Sequence, residues 1–222
     1  MFSPAPFIDH TLLKPDATPA EIAQLCEEAV EYGFASVCVP PRFAAFAAAR
    51  LYGSTSKVAT VIGFPLGYET TATKVFQVQA ALRDGAGELD MVIPLGAARA
   101  GDYAEVVTDV RAVVAAAADV PVKVILECCL FAPAVQLELV EAAVAGGAAY
   151  VKTSTGFAAS GATTADVRRL VTAAAGRVQV KAAGGIRDWP CCAELLDAGA
   201  TRIGTSAGVA IMRQWCQTTP GP

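Results

Sequence analysis

The 222-residue sequence has few charges and almost no histidine, and these shortages exclude several classes of protein. Lysine and arginine number 17 against 21 aspartates and glutamates, so no basic surface is available to attract nucleic acid or an anionic membrane. Every window of twenty residues contains charges, prolines or glycines that a transmembrane helix would avoid. No cation precedes Lys14 and no long apolar run begins the chain, so we expect no secretory signal and a cytoplasmic protein.

Clustered metal-binding or redox-active side chains are also missing. The seven cysteines are odd in number, include two adjacent pairs and never occur as C-x-x-C, which favours reduced thiols over a zinc or thioredoxin site. A single histidine, His10, excludes a three-histidine zinc centre. We therefore expect no metal and no cofactor. If the chain is an enzyme, its nucleophile and proton carriers are lysines and carboxylates.

Apolar residues, in contrast, are abundant, at 54% of the chain against 17% charged. This balance excludes a disordered or fibrous protein and indicates elements buried on more than one side. A chain of 222 residues is long enough for one domain with a sizeable core and short for two. We expect a single domain over residues 1–222.

Eight short apolar or β-branched runs alternate with longer alanine-rich stretches. The clearest helix follows Thr18, which fits a capping box with Glu21, and it ends at Gly33. Similar patterns predict helices over 72–84, 102–117, 133–145, 163–175 and 190–198. Strands are predicted over 7–11, 35–39, 57–62, 88–93, 122–127, 149–153, 178–182 and 201–205.

The alternation of strands and helices predicts an α/β fold. Each strand is followed by enough chain for a helical crossover to a parallel neighbour. Eight such units without a linker fit a (β/α)8 TIM barrel best, and a doubly wound open sheet is the alternative.

Alternate positions along the predicted strands carry different kinds of side chain. In a barrel, one set of alternate residues faces the helices and the other faces the interior. The apolar set, assigned to the helices, is Ile8, Leu12, Val37, Val39, Leu89, Met91, Val122, Val124, Val151, Val178 and Val180. The interior set contains Asp9, Cys38, Asp90, Lys123, Glu127, Lys152, Gln179 and Lys181. Because buried charges are costly unless they are paired or shifted in pKa, this set favours a functional site, with structural ion pairs as the alternative.

Two lysines, Lys152 and Lys181, lie near the ends of consecutive predicted strands, where barrel active sites are built. Repulsion between two ammonium groups, together with partial burial, lowers the pKa of one of them, so that it is partly a free amine at neutral pH. Such an amine attacks a carbonyl and forms a Schiff base. Asp90, or a bound water, would then move the proton of the enamine step. A solvated side chain is the simpler interpretation of either lysine alone.

Glycine-rich loops follow the last three predicted strands. Glycines let backbone N–H groups approach an anion, and barrels frequently bind phosphate at the loops after strands seven and eight. The loops predict a phosphorylated ligand, and the candidate residues are Thr155, Gly156, Gly184, Gly185, Gly204, Thr205 and Ser206.

Seven segments of the chain together resemble the deoxyribose-phosphate aldolase family. They are IDHTLLKPDAT, SVCVPPRF, GFPLG, ELDMVI, YVKTSTGF, VKAAGGIRD and RIGTSAG, and they follow the family's order from residue 8 to residue 212. The resemblance implies a class I aldolase that reversibly cleaves 2-deoxy-D-ribose 5-phosphate to acetaldehyde and D-glyceraldehyde 3-phosphate, in deoxyribonucleotide catabolism. It also implies small phosphorylated sugar and aldehyde substrates and a homo-oligomer, a dimer or a tetramer.

The same resemblance assigns roles to individual residues. Lys152 is the Schiff-base lysine, Lys181 the lysine that perturbs it, and Asp90 the proton-relay carboxylate. Asp9 and Lys123 match positions that line the pocket. Cys38 matches a pocket cysteine that reactive aldehydes can trap, although a small core residue is an equally good interpretation.

Two departures from the family pattern stand out. Ala207 replaces a serine found in many members, which should weaken phosphate binding without abolishing it. Some relatives end in a tyrosine that assists proton transfer, but no tyrosine follows Tyr150 here, so water held by Asp90 and Lys181 must suffice. Residues 213–222 form the corresponding tail.

Two other functions remain open at this point. The Schiff base also serves class I aldolases that act on sugar acids or ketoses. A barrel that binds phosphate esters without turnover would use the lysines only as anion contacts.

Overall fold

The computed structural model describes residues 3–218, which form a closed barrel of eight parallel strands in chain order. The strands are β1 Ile8–Thr11, β2 Ser36–Val39, β3 Lys57–Ile62, β4 Glu88–Val92, β5 Val122–Ile125, β6 Tyr150–Lys152, β7 Gln179–Ala183 and β8 Arg202–Thr205. The barrel closes where β8 pairs with β1 and places Asp9 opposite Gly204. This closure confirms the TIM barrel and rules out the doubly wound sheet.

Nine α-helices surround the strands in the described part of the chain. They are α1 Pro19–Tyr32, α2 Ala44–Arg50, α3 Thr71–Arg83, α4 Leu95–Ala100, α5 Tyr103–Ala117, α6 Pro133–Gly146, α7 Thr164–Ala174, α8 Trp189–Asp197 and α9 Gly208–Thr218. No helix between residues 3 and 218 combines the length and the apolar character needed to cross a bilayer.

The predicted helix signals act as expected at α1. The Thr18 hydroxyl accepts from the Glu21 N–H, the Glu21 carboxylate accepts from the Thr18 N–H, and Gly33 ends the helix in the left-handed region. Side chains also cap α5, α7 and α8, where Asp102, Thr163 and Asp188 accept backbone N–H groups.

Helices α2, α4 and α9 were not among the predicted elements. Helices α2 and α4 have only seven and six residues, and no side chain caps either N-terminus, so the sequence contains no start signal for them. Helix α9 begins on Gly208, directly after the glycine-rich loop that follows β8. It covers part of the tail, 213–218, while residues 219–222 lie outside the described residues.

The apolar core lies between the barrel and the helices. The residues assigned to this layer are buried there, with Ile8, Leu89, Met91, Val124 and Val151 completely inaccessible. The exception is Leu12, which follows β1 and is only half-buried. Burying this set stabilises the barrel by removing apolar area from water. The opposite faces of the strands point into the barrel, and most of the charged residues of the interior set lie there.

Candidate active site

A cluster of seven charged residues fills the barrel interior. We call it the charge cluster; it consists of Asp9, Glu88, Asp90, Lys123, Lys152, Lys181 and Arg202. The strand register explains the arrangement, because Asp90 lies opposite Lys123 across β4 and β5, and Lys152 lies opposite Lys181 across β6 and β7.

Asp90 is at the centre of the upper half of the charge cluster. Its Oδ1 accepts a hydrogen bond from Lys123 Nζ at 2.9 Å. Its Oδ2 accepts from both Lys152 Nζ, at 2.8 Å, and Lys181 Nζ, at 2.7 Å. Asp90 is completely buried, so a single carboxylate holds three ammonium groups away from water.

Asp9 and Glu88 complete the charge cluster on its other side. Asp9 accepts from Lys181 Nζ at 2.5 Å and from Arg202 Nη1 at 2.6 Å. Glu88 contacts Lys123 Nζ at 2.6 Å and Arg202 Nη1 at 3.1 Å. Every carboxylate in the cluster therefore bridges at least two cations.

The two neighbouring lysines have opposite pKa shifts. Burial lowers the pKa of the Lys152 amine; the Asp90 carboxylate opposes this effect, and the positive charge of Lys181 adds to it. For Lys181, burial is outweighed by Asp9 and Asp90, which together raise the pKa of its amine. Lys152 is thus the amine more easily freed of its proton, and Lys181 stays charged.

The acidic members of the charge cluster are held ionised. Burial opposes the charged form of Asp90, but Lys123, Lys152 and Lys181 hold the pKa of this carboxyl well below its usual range. The pKa of Asp9 is lowered in the same way, by Lys181, Lys123 and Arg202 against the effect of burial. Lys152 therefore lies beside a permanent carboxylate.

A cavity of about 270 Å³ opens above the charge cluster at the carboxyl ends of the strands. Of the seven described cluster residues, Lys152 alone lines it. The glycine-rich loops after β6, β7 and β8 supply much of the remaining lining. The lining residues are Thr11, Leu12, Leu13, Lys14, Lys152, Thr155, Gly156, Phe157, Ala183, Gly184, Gly185, Ile186, Arg187, Gly204, Thr205 and Ser206.

Glycine is required where two of these loops cross. Gly184 has a φ of +89°, and a Cβ there would lie 2.9 Å from the Gly161 Cα and 3.4 Å from the Gly156 Cα. The loops after β6 and β7 therefore pack backbone against backbone, and Gly156 and Gly184 both line the cavity.

Two of the predicted hydroxyls are occupied by bonds within the protein. The Thr155 hydroxyl donates to Glu127 and accepts from the Phe157 N–H, and the Thr155 N–H also donates to Glu127. The Thr205 hydroxyl donates to the Ile186 carbonyl and accepts from the Ala207 N–H. These hydroxyls shape the loops, whereas Ser206 is exposed at the cavity wall.

The structure brings together most of the predicted site residues. All seven predicted loop residues line the cavity, and Lys152, Lys181 and Asp90 are joined by hydrogen bonds. Asp9 and Lys123 lie below the cavity, inside the charge cluster, and do not line it. Ala207 lies one residue beyond the last lining residue.

Two predictions for the interior set and one for the pocket lining need correction. Gln179 is exposed at the start of β7, where Thr201 donates to it, so it does not point into the barrel. Glu127 is buried but binds Thr155 instead of a lysine, because its backbone leaves the strand with a φ of 54°. Cys38 lies in the interior near the charge cluster and packs with Ala59 and Val61, but it does not line the cavity. Burial raises the pKa of its thiol to about 11.

Sequence reasoning missed two cluster residues and two cations at the cavity. Glu88 precedes Asp90 by two residues and so shares its face of β4, a signal that was available. Arg202 begins β8 and lies opposite Lys181. Lys14 and Arg187 are loop residues that line the cavity, and nothing in their spacing distinguishes them from other surface cations.

No group of three histidine, cysteine, aspartate or glutamate side chains is placed to hold a metal ion between residues 3 and 218. The chemical character of the site lies in its amine. A (β/α)8 barrel with a buried lysine of lowered pKa, open to a cavity walled by glycine-rich loops, has the features of a lysine-dependent aldolase.

Comparison with known proteins specifies the kind of aldolase. The model of the DeoC/LacD family aldolases matches residues 5–218. The deoxyribose-phosphate aldolase of Syntrophotalea carbinolica is 58% identical over 215 residues, 97% of each chain. An aldolase designated QR15 superposes with a TM-score of 0.94 at 37% identity, covering 98% of this chain and 97% of its own.

A tetrameric deoxyribose phosphate aldolase from Aeropyrum pernix superposes with a TM-score of 0.87 at 35% identity, covering 97% of this chain and 92% of its own. The chain belongs to the DeoC/LacD aldolase family, and it is an aldolase, a carbon–carbon lyase.

Proposed function

We propose that this aldolase cleaves 2-deoxy-D-ribose 5-phosphate reversibly to acetaldehyde and D-glyceraldehyde 3-phosphate through a Schiff base on Lys152. One observation carries the assignment of the nucleophile. Lys152 Nζ shares the Asp90 Oδ2 atom with Lys181 Nζ, and of these three residues only Lys152 reaches the cavity. The substrate is supported by the relatives' names and by the glycine-rich wall.

The reaction begins with attack of the neutral Lys152 amine on the C1 aldehyde of the open-chain sugar. Loss of water gives a protonated imine, which draws electrons from the neighbouring carbons. A base removes the proton of the C3 hydroxyl, the C2–C3 bond breaks, and its electron pair moves towards the iminium to form an enamine. D-Glyceraldehyde 3-phosphate leaves at this point.

Protonation of the enamine at C2 then gives the imine of acetaldehyde. Water hydrolyses this imine, which releases acetaldehyde and restores the Lys152 amine. The proton carrier in both directions is water bound at the Asp90–Lys181 ion pair. Asp90 contributes as a fixed negative charge, since its surrounding lysines keep its pKa low.

The phosphate would bind across the cavity from Lys152. Backbone N–H groups of the loops at Gly184, Gly185, Gly204 and Ser206 would supply neutral donors. Lys14 and Arg187 line the same cavity and would supply positive charge, although the chain as a whole is acidic.

Trapping of the imine tests this proposal. The protein is incubated with acetaldehyde and sodium borohydride, and the reduced two-carbon adduct is located by mass mapping of peptides. We expect the adduct on Lys152 and none in Lys152→Ala. Lys57, exposed at the start of β3, serves as the internal control. An adduct elsewhere, or none, would overturn the assignment.

The choice of donor is tested separately. Rates of cleavage of 2-deoxy-D-ribose 5-phosphate are compared with those of keto-sugar phosphates at equal concentration. We expect a clear preference for the deoxyribose ester. A preference for a keto-sugar would retain the Schiff base and reject the proposed substrate.

We further propose that the chain forms one catalytic domain that acts in the cytoplasm in deoxyribonucleotide catabolism, as a homo-oligomer. The tetrameric relative from Aeropyrum pernix supports the last point. Sedimentation velocity at several protein concentrations measures the oligomeric state, and a monomer at all concentrations would contradict it.

A further inference from the structure

Glu88 and Arg202 are charged residues of the barrel interior for which the proposed reaction has no step. Each is the first residue of its strand, β4 and β8, so both lie towards the amino ends, away from the cavity. Arg202 donates to Glu88 and to Asp9, and it also contacts the Tyr150 ring and hydroxyl. Neither residue lines the cavity, so neither is placed to touch substrate.

The charge cluster contains more cations than carboxylates. Lys123, Lys152, Lys181 and Arg202 are four cations, and Asp9, Glu88 and Asp90 are three carboxylates. Their side chains are between 0% and 13% exposed. Since an uncompensated charge is costly in such surroundings, loss of one proton would bring the cluster to neutrality.

The contacts decide which cation gives up that proton. An arginine keeps its proton under all ordinary conditions. Lys123 Nζ is within 4.0 Å of three carboxylates, at 2.6, 2.9 and 3.6 Å. Lys181 Nζ contacts two, at 2.5 and 2.7 Å, and Lys152 Nζ contacts only Asp90, at 2.8 Å. Lys152 therefore has the fewest carboxylates to stabilise its protonated form, and it is the lysine that loses its proton most easily.

We propose that Glu88 and Arg202 are positioning residues that set the protonation state of Lys152 by fixing the net charge of the cluster at one excess cation. Glu88 acts through Lys123, and Arg202 acts through Asp9, which each contacts directly. The inference rests on the proposed function, in which neutral Lys152 is the nucleophile.

The other charged or titratable groups around Lys152 are unchanged by substitutions at these two positions. They are Asp90 on β4, Lys181 on β7, Lys123 on β5, Asp9 on β1 and the Cys38 thiol on β2, with Lys14 and Arg187 at the cavity wall. Burial raises the pKa of the Cys38 thiol to about 11, so Cys38 adds no charge near neutral pH.

Opposite shifts are expected for the two single substitutions. Arg202→Met leaves three cations and three carboxylates, so the cluster is electrically neutral when Lys152 is protonated. The titration of Lys152 should therefore move about one pH unit towards alkali. Glu88→Gln leaves two excess cations, so the titration should move about one pH unit towards acid. The double variant restores one excess cation and should titrate close to the wild type.

The experiment measures the titration of Lys152 directly. Acetic anhydride reacts with neutral amines, so the rate of acetylation of Lys152, followed by peptide mass spectrometry across pH, reports its deprotonated fraction. No aldehyde is required. Borohydride trapping is run in parallel on the wild type. An unshifted acetylation profile with a normal adduct defeats the charge account alone, whereas absence of the adduct defeats the proposed function.

Controls separate charge from structure. Arg177→Met and Glu141→Gln remove the same side chains from an exposed pair on the outer surface and should leave the profile unchanged. Arg202→Lys and Glu88→Asp keep the charge and should shift the profile by less than about 0.3 pH unit. A purely structural role predicts shifts of the same sign, or none, in the two neutral variants, and either result overturns the proposal.

Circular dichroism shows which of the variants fold. If one neutral variant fails to fold, the proposal is tested by the direction in which the other shifts the titration of Lys152. That shift is measured against the charge-preserving variant at the same position. If neither single variant folds, the titration of Lys152 is measured in the double variant. A titration more than about 0.5 pH unit from that of the wild type would contradict a cluster fixed at one excess cation.

Discussion

Lys152 and Lys181 lie opposite each other on β6 and β7, and both donate to the same atom, Asp90 Oδ2, at 2.8 and 2.7 Å. Repulsion between the two ammonium groups is only part of the reason that Lys152 titrates early. Burial lowers its pKa more, and Asp90 opposes the shift. Lys181 has a second carboxylate, Asp9, and that difference decides which of the two lysines is available to a substrate.

Lys181→Leu should make Lys152 a weaker nucleophile at neutral pH. Removing the neighbouring positive charge raises the pKa of Lys152, so the rate of imine formation should fall about tenfold at pH 7, and its pH profile should move towards alkali. Lys57→Leu makes the same exchange at an exposed position and should change neither quantity. The measurement is borohydride trapping over a range of pH; an unshifted profile for Lys181→Leu would count against charge coupling.

Asp9 and Asp90 should make the protein sensitive to acid. Their pKa values are lower in the folded chain than the ordinary value of 3.8, so the unfolded chain takes up protons first as the pH falls. Their contribution to stability is complete above the ordinary value and is lost progressively as the pH falls below about 4. Thermal unfolding followed by circular dichroism between pH 7 and pH 2 measures the loss.

Asp90→Asn isolates that contribution. It leaves three buried lysines with one carboxylate fewer, which should cost about 3–5 kcal/mol of unfolding free energy at pH 7 and flatten the acid dependence. Asp119→Asn, which removes an exposed carboxyl, is the matched control. Equal acid dependence in Asp90→Asn and the wild type would assign the loss to other carboxyls.

Glu127→Gln should weaken binding of the phosphorylated substrate. The Glu127 carboxylate accepts both the N–H and the hydroxyl of Thr155, at the start of the loop that forms one wall of the cavity. An amide cannot accept both in the same geometry, so the loop should loosen and KM for 2-deoxy-D-ribose 5-phosphate should rise about tenfold with little change in kcat.

Steady-state kinetics with the unphosphorylated sugar provide the comparison for Glu127→Gln, because its KM should be unaffected. Thr155→Val removes one of the same bonds and should act in the same direction. Glu138→Gln, on the exposed face of α6, should have no effect. A loss of kcat with both sugars would instead indicate that Glu127 acts on Lys152.

Lys74→Met should destabilise the protein without affecting catalysis. Lys74 on α3 is completely buried, and its Nζ donates to Asp109 on α5, at 2.6 Å, and to the Val92 carbonyl, at 2.9 Å. Removing one partner leaves Asp109 with an uncompensated buried charge, at a cost of about 3–5 kcal/mol in denaturant unfolding.

Substituting both partners of that pair distinguishes charge from packing. The variant Lys74→Met with Asp109→Leu removes the stranded carboxylate and should recover much of the lost stability. Lys57→Met is the exposed control. No recovery in the double variant would assign the loss to packing between α3 and α5.

The barrel and the reactive part of the site could be predicted from the sequence. Alternation along each strand separates Asp90, Lys152 and Lys181 from the apolar residues that pack under the helices, and this period is a local property of the chain. The glycines after β7 and β8 are equally local, since they follow directly from the ends of the strands.

The contact between Glu88 and Arg202 in the charge cluster could not be predicted in the same way. Whether Arg202 meets Glu88 depends on the tilt and register of strands that are far apart in the sequence, which no single strand reveals. Glu127 does not have its expected orientation because of one left-handed backbone angle, φ 54°. Gln179, the first residue of β7, is exposed and accepts a hydrogen bond from Thr201. These are properties of the assembled barrel.

The pairing of β8 with β1 also contributes to the difference between the two lysines. Asp9 reaches Lys181 across 172 positions of sequence and Arg202 across 193, so these bonds exist only after the final strand has joined the first. Without Asp9, Lys181 would have only the Asp90 carboxylate that it shares with Lys152. The second carboxylate that raises the pKa of Lys181 is therefore supplied by closure of the barrel.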